Sequence, residues 1–315
     1  MKLKVYTKIC ASVLAVSLAF SGPAAMRAEG KAPVSICNEQ EWEVLKIVNK
    51  ERTGKGFAPL SMIRSLQTAN DVRAKEIFTS FSHTRPDGSS CFTALQGINY
   101  NTAGENIAAG YATPEAVMIG WMNSPGHKAN IMSGSFTHMG VGYYHNGGGS
   151  YQNYWTQMFI GNCKPTSISV DKGSKTLSYK RGTSIEAMDR VLNVKCQHGT
   201  SYVPLSEKMC SKFNRSTTGA KKITVRYQGK STSFRVKITG INIRKAKVSN
   251  VKNKKYNKKA QTQNPKVILK GKKLVKNRDY TLSYKNNKKK GKATMIITGK
   301  GKYSGTIKRT FKITK

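Results

Sequence analysis

The uneven distribution of charge constrains this chain more than any other feature of its sequence. Lys plus Arg against Asp plus Glu stand at ten to ten over residues 29–163, sixteen to four over 164–240 and twenty-five to one over 241–315. With 315 residues, more than a typical single domain, these shifts in balance mark the boundaries of modules. A neutral first module joined to an increasingly basic end implies a division of labour: the end meets a polyanion and the first module does something else.

Residues 1–28 carry Lys2, Lys4 and Lys8, an apolar run from Ile9 to Phe20, and then Ser-Gly-Pro. That is the layout of a secretory signal peptide, with cleavage expected near Ala28. The apolar run is too short to span a bilayer comfortably, and no later segment has the roughly eighteen apolar residues a membrane helix needs. The mature protein is therefore expected to be secreted, extracellular or cell-wall associated, with no transmembrane segment. Export permits disulfides and leaves five cysteines, Cys37, Cys91, Cys163, Cys196 and Cys210. One reading pairs Cys37 with Cys163 and Cys196 with Cys210, leaving Cys91 over; the other keeps all five as reduced, partly buried thiols.

Residues 29–163 read as α+β. Asn38 followed by Glu41 predicts a helix cap ahead of Trp42, Leu45, Val48 and Arg52. Ile63, Leu66, Asn70, Ala74, Ile77 and Phe81 form a stripe at helical spacing, with Asn70 its only polar member. The run "MGVGYYHNGGGSYQNYWTQMF" predicts two strands around a glycine-rich turn. In "NSPGHKANIM" a Pro-Gly turn precedes His127 and one short helical turn. Beyond residue 163, short alternating runs such as Phe234, Val236, Ile238 and Tyr280, Leu282, Tyr284 predict two small all-β sandwiches, over 164–240 and 241–315. The lysines of "KNKKYNKK" and "KNNKKKGK" fall mostly in turns, and Asp279 is the only acid in the last seventy-five residues.

Taken in order, "FSHTRPDGSSCFTAL", "AGENIAAG", "VMIGWMNSPGHKANIM", "FTHMGVGYY" and "YWTQMF" resemble the bacterial branch of the CAP superfamily, that of the cysteine-rich secretory and pathogenesis-related proteins. The resemblance spans roughly residues 38–160. It implies an α-β-α sandwich with a central antiparallel sheet and an open cleft. In many eukaryotic members two histidines and two glutamates line that cleft. Carried over, the first histidine falls on His83, the first glutamate on Glu105 and the second histidine on His127. The second glutamate has no counterpart, because Met122, Asn123 and Ser124 follow Trp121. Residues 166–239 resemble a bacterial immunoglobulin-like domain, and 241–315 resemble the immunoglobulin- or fibronectin-like repeats of Gram-positive surface proteins.

Two neutral imidazoles and a carboxylate suit zinc and would leave a coordination position open; the same groups could instead hydrogen-bond across a cleft and hold its loops. His83, Glu105 and His127 are thus candidates for a metal or small-ligand site. His138, just before a strand, reads either as a fourth polar group at the rim or as an exposed histidine, and the second is expected. The leading functional expectation is a secreted surface protein that binds a metal or small ligand in this cleft and is tethered to anionic cell-wall or surface polymers by its basic C-terminal module. The alternative is a zinc-dependent hydrolase acting on peptide or cell-wall substrate. Nucleic acid is not expected as a physiological partner, because the leader removes the chain from it.

Overall fold

The computed structural model describes residues 9–13, 35–148, 151–171 and 177–315. The expected leader lies outside the described residues except for Ile9–Val13, which form strand β1. Packing divides the chain into two units. The first comprises Met1–Asp171, Asp189–Cys210 and Thr224–Ser233, and the second comprises Lys172–Met188, Ser211–Ile223 and Phe234–Lys315. Strands from the segment beyond residue 163 therefore pack with the first unit.

In the first unit, α1 (Glu39–Gly54) starts at a reciprocal cap. The Asn38 side chain accepts from the Glu41 amide at 3.0 Å, and the Glu41 carboxylate accepts from the Asn38 amide at 2.8 Å. Then follow β2 (Met62–Ile63), α2 (Arg64–Thr79), β3 (Ala103–Ala109), α3 (Pro114–Asn123), α4 (Pro125–Met132), β4 (His138–His145) and β5 (Asn153–Ile160). The Pro-Gly pair expected to turn the chain before His127 instead opens α4. Proline is suited to a first helical position, where its missing N–H has no partner to lose.

The sheet order is β1-β3-β5-β4. β5 runs antiparallel to both neighbours, and β1 adds a parallel edge to β3. β5 is buried along its whole length, and its alternation sorts the core into two layers. Trp155 and Phe159 pack with Trp42 and Leu45 of α1, Trp121 of α3 and Ile131 of α4. Met158 and Ile160 pack with Leu66 of α2 and with Phe92, while Tyr154 packs with Ile77. The expected α-β-α sandwich results, with α2 alone on one face.

The glycines of "MGVG" set the distance between α2 and the sheet. A Cβ on Gly142 would lie 2.2 Å from the Asn70 carbonyl oxygen, and one on Gly140 would lie 2.6 Å from that of Leu66. This close approach explains the polar member of the α2 stripe. Fully buried Asn70 accepts from the Met158 amide at 2.9 Å and from Thr156 Oγ1 at 3.1 Å, and donates to Leu66 O at 2.8 Å. An amide that satisfies backbone and hydroxyl partners in a dry layer fixes the register of helix on strand.

β4 is an outer strand, yet its outward amides are satisfied. Met139 N donates to Ser61 O at 3.0 Å, Val141 N to Gln67 Oε1 at 3.1 Å and Tyr143 N to Glu41 Oε1 at 3.3 Å. Gln67 also donates back to Val141 O, so its side-chain amide pairs with β4 as a neighbouring strand would. Beyond β5, Ser167–Val170, Val191–Cys196 and Gly199–Pro204 form a second sheet, completed by β2.

The second unit holds an all-β region. Lys254–Lys255, Thr306–Thr314, Gly291–Gly299 and Tyr280–Lys285 form one sheet in that order, and Lys247–Ser249, Lys266–Leu269 and Lys272–Lys273 form another. Val267, Met295, Ile297, Phe311 and Ile313 fill its core.

Two predictions follow from the α2 and α1 contacts. Gly142→Ala should destabilise the chain by about 1–3 kcal/mol in urea unfolding, because backbone rather than a movable side chain blocks the methyl. Gly134→Ala, whose methyl would find nothing nearer than 3.8 Å, should stay within about 0.5 kcal/mol of the parent. Glu41 is buried, and burial pushes its carboxyl up to about 7 against the hydrogen bonds from Asn38 and Tyr143. A carboxyl raised on folding contributes stability that is complete at low pH and lost as pH rises through the folded value. Stability should therefore fall by about 3 kcal/mol between pH 4.5 and 7, a slope that Glu41→Gln should flatten in pH-dependent denaturation.

Candidate functional site

The site is organised around Glu105 on β3, which has no exposed surface. An ionised carboxylate in that position requires a charged partner and filled hydrogen bonds. Arg73, equally buried on α2, provides both, with Nε 2.8 Å from Oε1 and Nη2 3.4 Å from Oε2. Its remaining donors reach Glu76 Oε2 at 2.7 Å and Ser82 O at 2.8 Å. Glu76 also accepts from Arg85, at 2.6 Å from Nη2 and 3.0 Å from Nε. Burial works against the charge on Arg73, but its bonds to Glu105 and Glu76 outweigh that and raise its pKa above the ordinary value. Burial also opposes ionisation of Glu76, and Arg85 and Arg73 overcome it to hold that carboxyl below its usual range.

His83 closes the set from the loop after α2, with Nδ1 2.6 Å from Glu105 Oε2. Both Glu105 oxygens accept from Arg73, and the same accepting role toward His83 places the N–H on Nδ1 and the lone pair on Nε2. His83 Nε2 is buried and has no hydrogen-bond partner among the described residues. Buried polar atoms are ordinarily satisfied, so such a nitrogen marks a position suited to a ligand. Cys91, whose amide donates to His83 O at 2.9 Å, joins His83 and Glu105 in a group with ligand atoms within 4.8 Å of one another.

His127 belongs to no such group among the described residues. Side chains at consecutive strand positions face opposite ways, so Glu105 looks toward α2 and Asn106 toward α4. Asn106 donates to the His127 carbonyl at 3.2 Å and to Gln157 Oε1 at 2.9 Å, and it accepts from Asn130 at 2.9 Å. Fully buried His127 thus lies in the helix that packs against the opposite side of β3 from the Glu105 carboxylate.

These positions bear on the zinc expected from the family resemblance. Both Glu105 oxygens are engaged by Arg73 or His83, and a dication beside Arg73 would be repelled. The residues therefore offer an ion or small ligand the one nitrogen His83 Nε2, fewer ligands than zinc ordinarily takes, with Glu105 orienting the ring rather than ligating. Arg73 was missed in the sequence, although its spacing from Leu66, Asn70 and Ile77 puts it on the inward stripe of α2. Cys91 gave no comparable signal.

His138 corrects another expectation. It is buried rather than exposed, and burial, with the charge of His198 second, lowers its pKa to about 3. Of the two readings of the cysteines, the structure follows the one without disulfides: among the described residues Cys37, Cys91, Cys163, Cys196 and Cys210 form none. Cys163 approaches Cys196.

Residues 45–159 match the family described as the Cysteine-rich secretory protein family, CAP, and residues 174–238 match a bacterial Ig-like domain of group 3. A Bacillus subtilis (strain 168) protein titled Uncharacterized protein YkwD is 40% identical over 134 residues, covering 41% of this chain and 50% of its own length. A second from the same organism, titled Uncharacterized membrane protein YlbC, is 29% identical over 124 residues, covering 38% and 34%. The chain thus spans half or less of the length of these curated relatives. Among solved structures, an extracellular protein containing an SCP domain from Bacillus anthracis str. Ames is 28% identical, covering 39% of this chain and 40% of that one, with TM-score 0.36. An outer surface protein of Borrelia burgdorferi is 17% identical, covering 38% and 91%, with TM-score 0.34. No helix among the described residues is long and apolar enough to cross a membrane. Motif order, sheet topology and family match converge: the chain carries a bacterial-type CAP domain followed by a bacterial Ig-like domain.

Proposed function

We propose that this is an exported CAP-domain protein that binds a small ligand or metal ion at His83 and is held on anionic cell-wall or surface polymers by its basic C-terminal region. The leader-like residues 1–28 support export.

The observation that carries the tether is how the second unit uses its charges. Its last acid, Asp279, is buried, accepting from Arg278 at 3.0 Å and from the Val275 amide at 2.9 Å, so its charge is taken up by that one arginine and leaves the lysines unmatched. The lysines of "KNNKKKGK" are exposed, and Lys288, Lys289, Lys290 and Lys292 line an open concavity of about 520 Å³ with Asn286 and Asn287. Lys292 and Lys312 stand opposite each other on paired strands. Like charges in that position are unfavourable without a counter-ion, and a polyanion would supply one.

For the CAP domain, the open lone pair of His83 Nε2 supports ligand or zinc binding. The hydrolase alternative needs Glu105 as a ligand or base, and a carboxylate already held by Arg73 and His83 is poorly suited to either role.

Retention of the full chain on a poly(glycerol phosphate) matrix should weaken steeply with added salt, as screened charges require. Replacing Lys288, Lys289, Lys290 and Lys292 together by Gln should lower the apparent affinity roughly tenfold; salt-independent retention would refute the tether. Calorimetric titration of zinc into a Cys163→Ser, Cys196→Ser parent, which removes those thiols as competing ligands, should show binding lost on adding His83→Ala and largely kept on adding His127→Ala. Equal binding in the parent and His83→Ala would remove that nitrogen from the site.

A further inference from the structure

A second group of ligand-type side chains lies away from His83, where β4 and the end of β5 meet the strand Val191–Cys196, all within the first unit. His138 and Cys163 are buried and Cys196 is partly so, and one ligand atom from each lies within 4.8 Å of the other two. His138 Nε2 is 3.9 Å from Cys196 Sγ.

The tautomer of His138 follows from its other nitrogen. Nδ1 is 3.0 Å from Thr137 Oγ1, and that hydroxyl donates its single proton to Ile160 O at 3.4 Å. The hydroxyl therefore accepts from Nδ1–H, and the lone pair of Nε2 is turned toward the sulfurs. Fixing a ligating imidazole through its distal N–H is what the surroundings of metal sites do. His198 packs edge-on against the His138 ring at 6.0 Å and is itself held by Asn162 O at 2.9 Å, which shields the group on one side.

We infer that His138, Cys163 and Cys196 form a metal site for a thiophilic cation of the zinc type, separate from the His83 centre. Two thiolates and one neutral imidazole match the softness and ligand number of a Cys₂His zinc site, with a fourth position left for water. Each thiol gives up its proton to solvent as the ion binds, so no oxidant or reductant is needed. A disulfide between the same cysteines would use the two sulfurs but leave the buried Nε2 lone pair of His138 unused; a metal ion engages all three groups. The ion would join the end of β5 to the strand Val191–Cys196 and so clip the CAP sheet to the one beside it.

The test uses the full chain, reduced, with cobalt(II) as the probe. One equivalent should produce thiolate-to-cobalt charge-transfer absorption that zinc then abolishes. Cys163→Ser and Cys196→Ser should each remove the band, His138→Gln should weaken cobalt affinity at least tenfold, and Cys210→Ser and His83→Ala should leave both unchanged. Native mass spectrometry of the parent needs no variant: one zinc per chain should be expelled as Cys163 and Cys196 are alkylated. The proposal fails if the reduced parent shows no charge-transfer band, if the band survives in either serine variant, or if the parent is isolated with Cys163 joined to Cys196 and takes up no cobalt after reduction.

Discussion

A carboxylate without exposed surface must be matched from within the fold, and the Glu105–Arg73 pair is that match. Removing either partner would leave an uncompensated charge in a dry layer, a loss that commonly costs about 3–5 kcal/mol. The pair ties β3 to α2. Through Ser82 O it also anchors the chain leaving α2, and through Glu76 and Arg85 it reaches the loop that carries His83. The position of His83 Nε2 is thus set by charge matching that begins two elements away.

Much of this architecture was legible as pattern. The Asn38–Glu41 cap, the α2 stripe and the paired strands are local, and periodicity reports local structure well. Asn70, an exception within its stripe, became intelligible only once the glycines of β4 showed how near the helix comes. Arg73 lies beside that stripe and was not singled out, because a buried arginine announces itself only through a partner thirty-two residues away. His127 shows the reverse limit: family resemblance placed it with His83, whereas alternation along β3 sends Glu105 and Asn106 to opposite faces. His138 and the cysteines depended on contacts between segments separated by fifty-eight residues, for which spacing along the chain carries no information.

The two units manage charge in opposite ways. The first buries several of its ions and balances them, as with Arg73 against Glu105 and Glu76, and it satisfies buried Arg52 with the carbonyls of Ala58, Ile131 and Ser133. The second keeps its cations in water and sets its buried acid, Asp279, against Arg278. Balanced interior charge specifies geometry, whereas unbalanced surface charge creates a field extending about a Debye length, roughly 8–10 Å.

The outer strand β4 has a further consequence. A strand with free outward amides is a template on which another chain can add. Here Ser61, Gln67 and Glu41 occupy those amides in turn, so the sheet cannot grow past β4 without first displacing α1 and α2. On the far side, among the described residues, Ile9–Val13 pair with β3, and these residues fall within the expected leader. Cleavage of that leader would leave self-association by strand addition, or capture of an extended peptide, one open edge, the strand that carries Glu105.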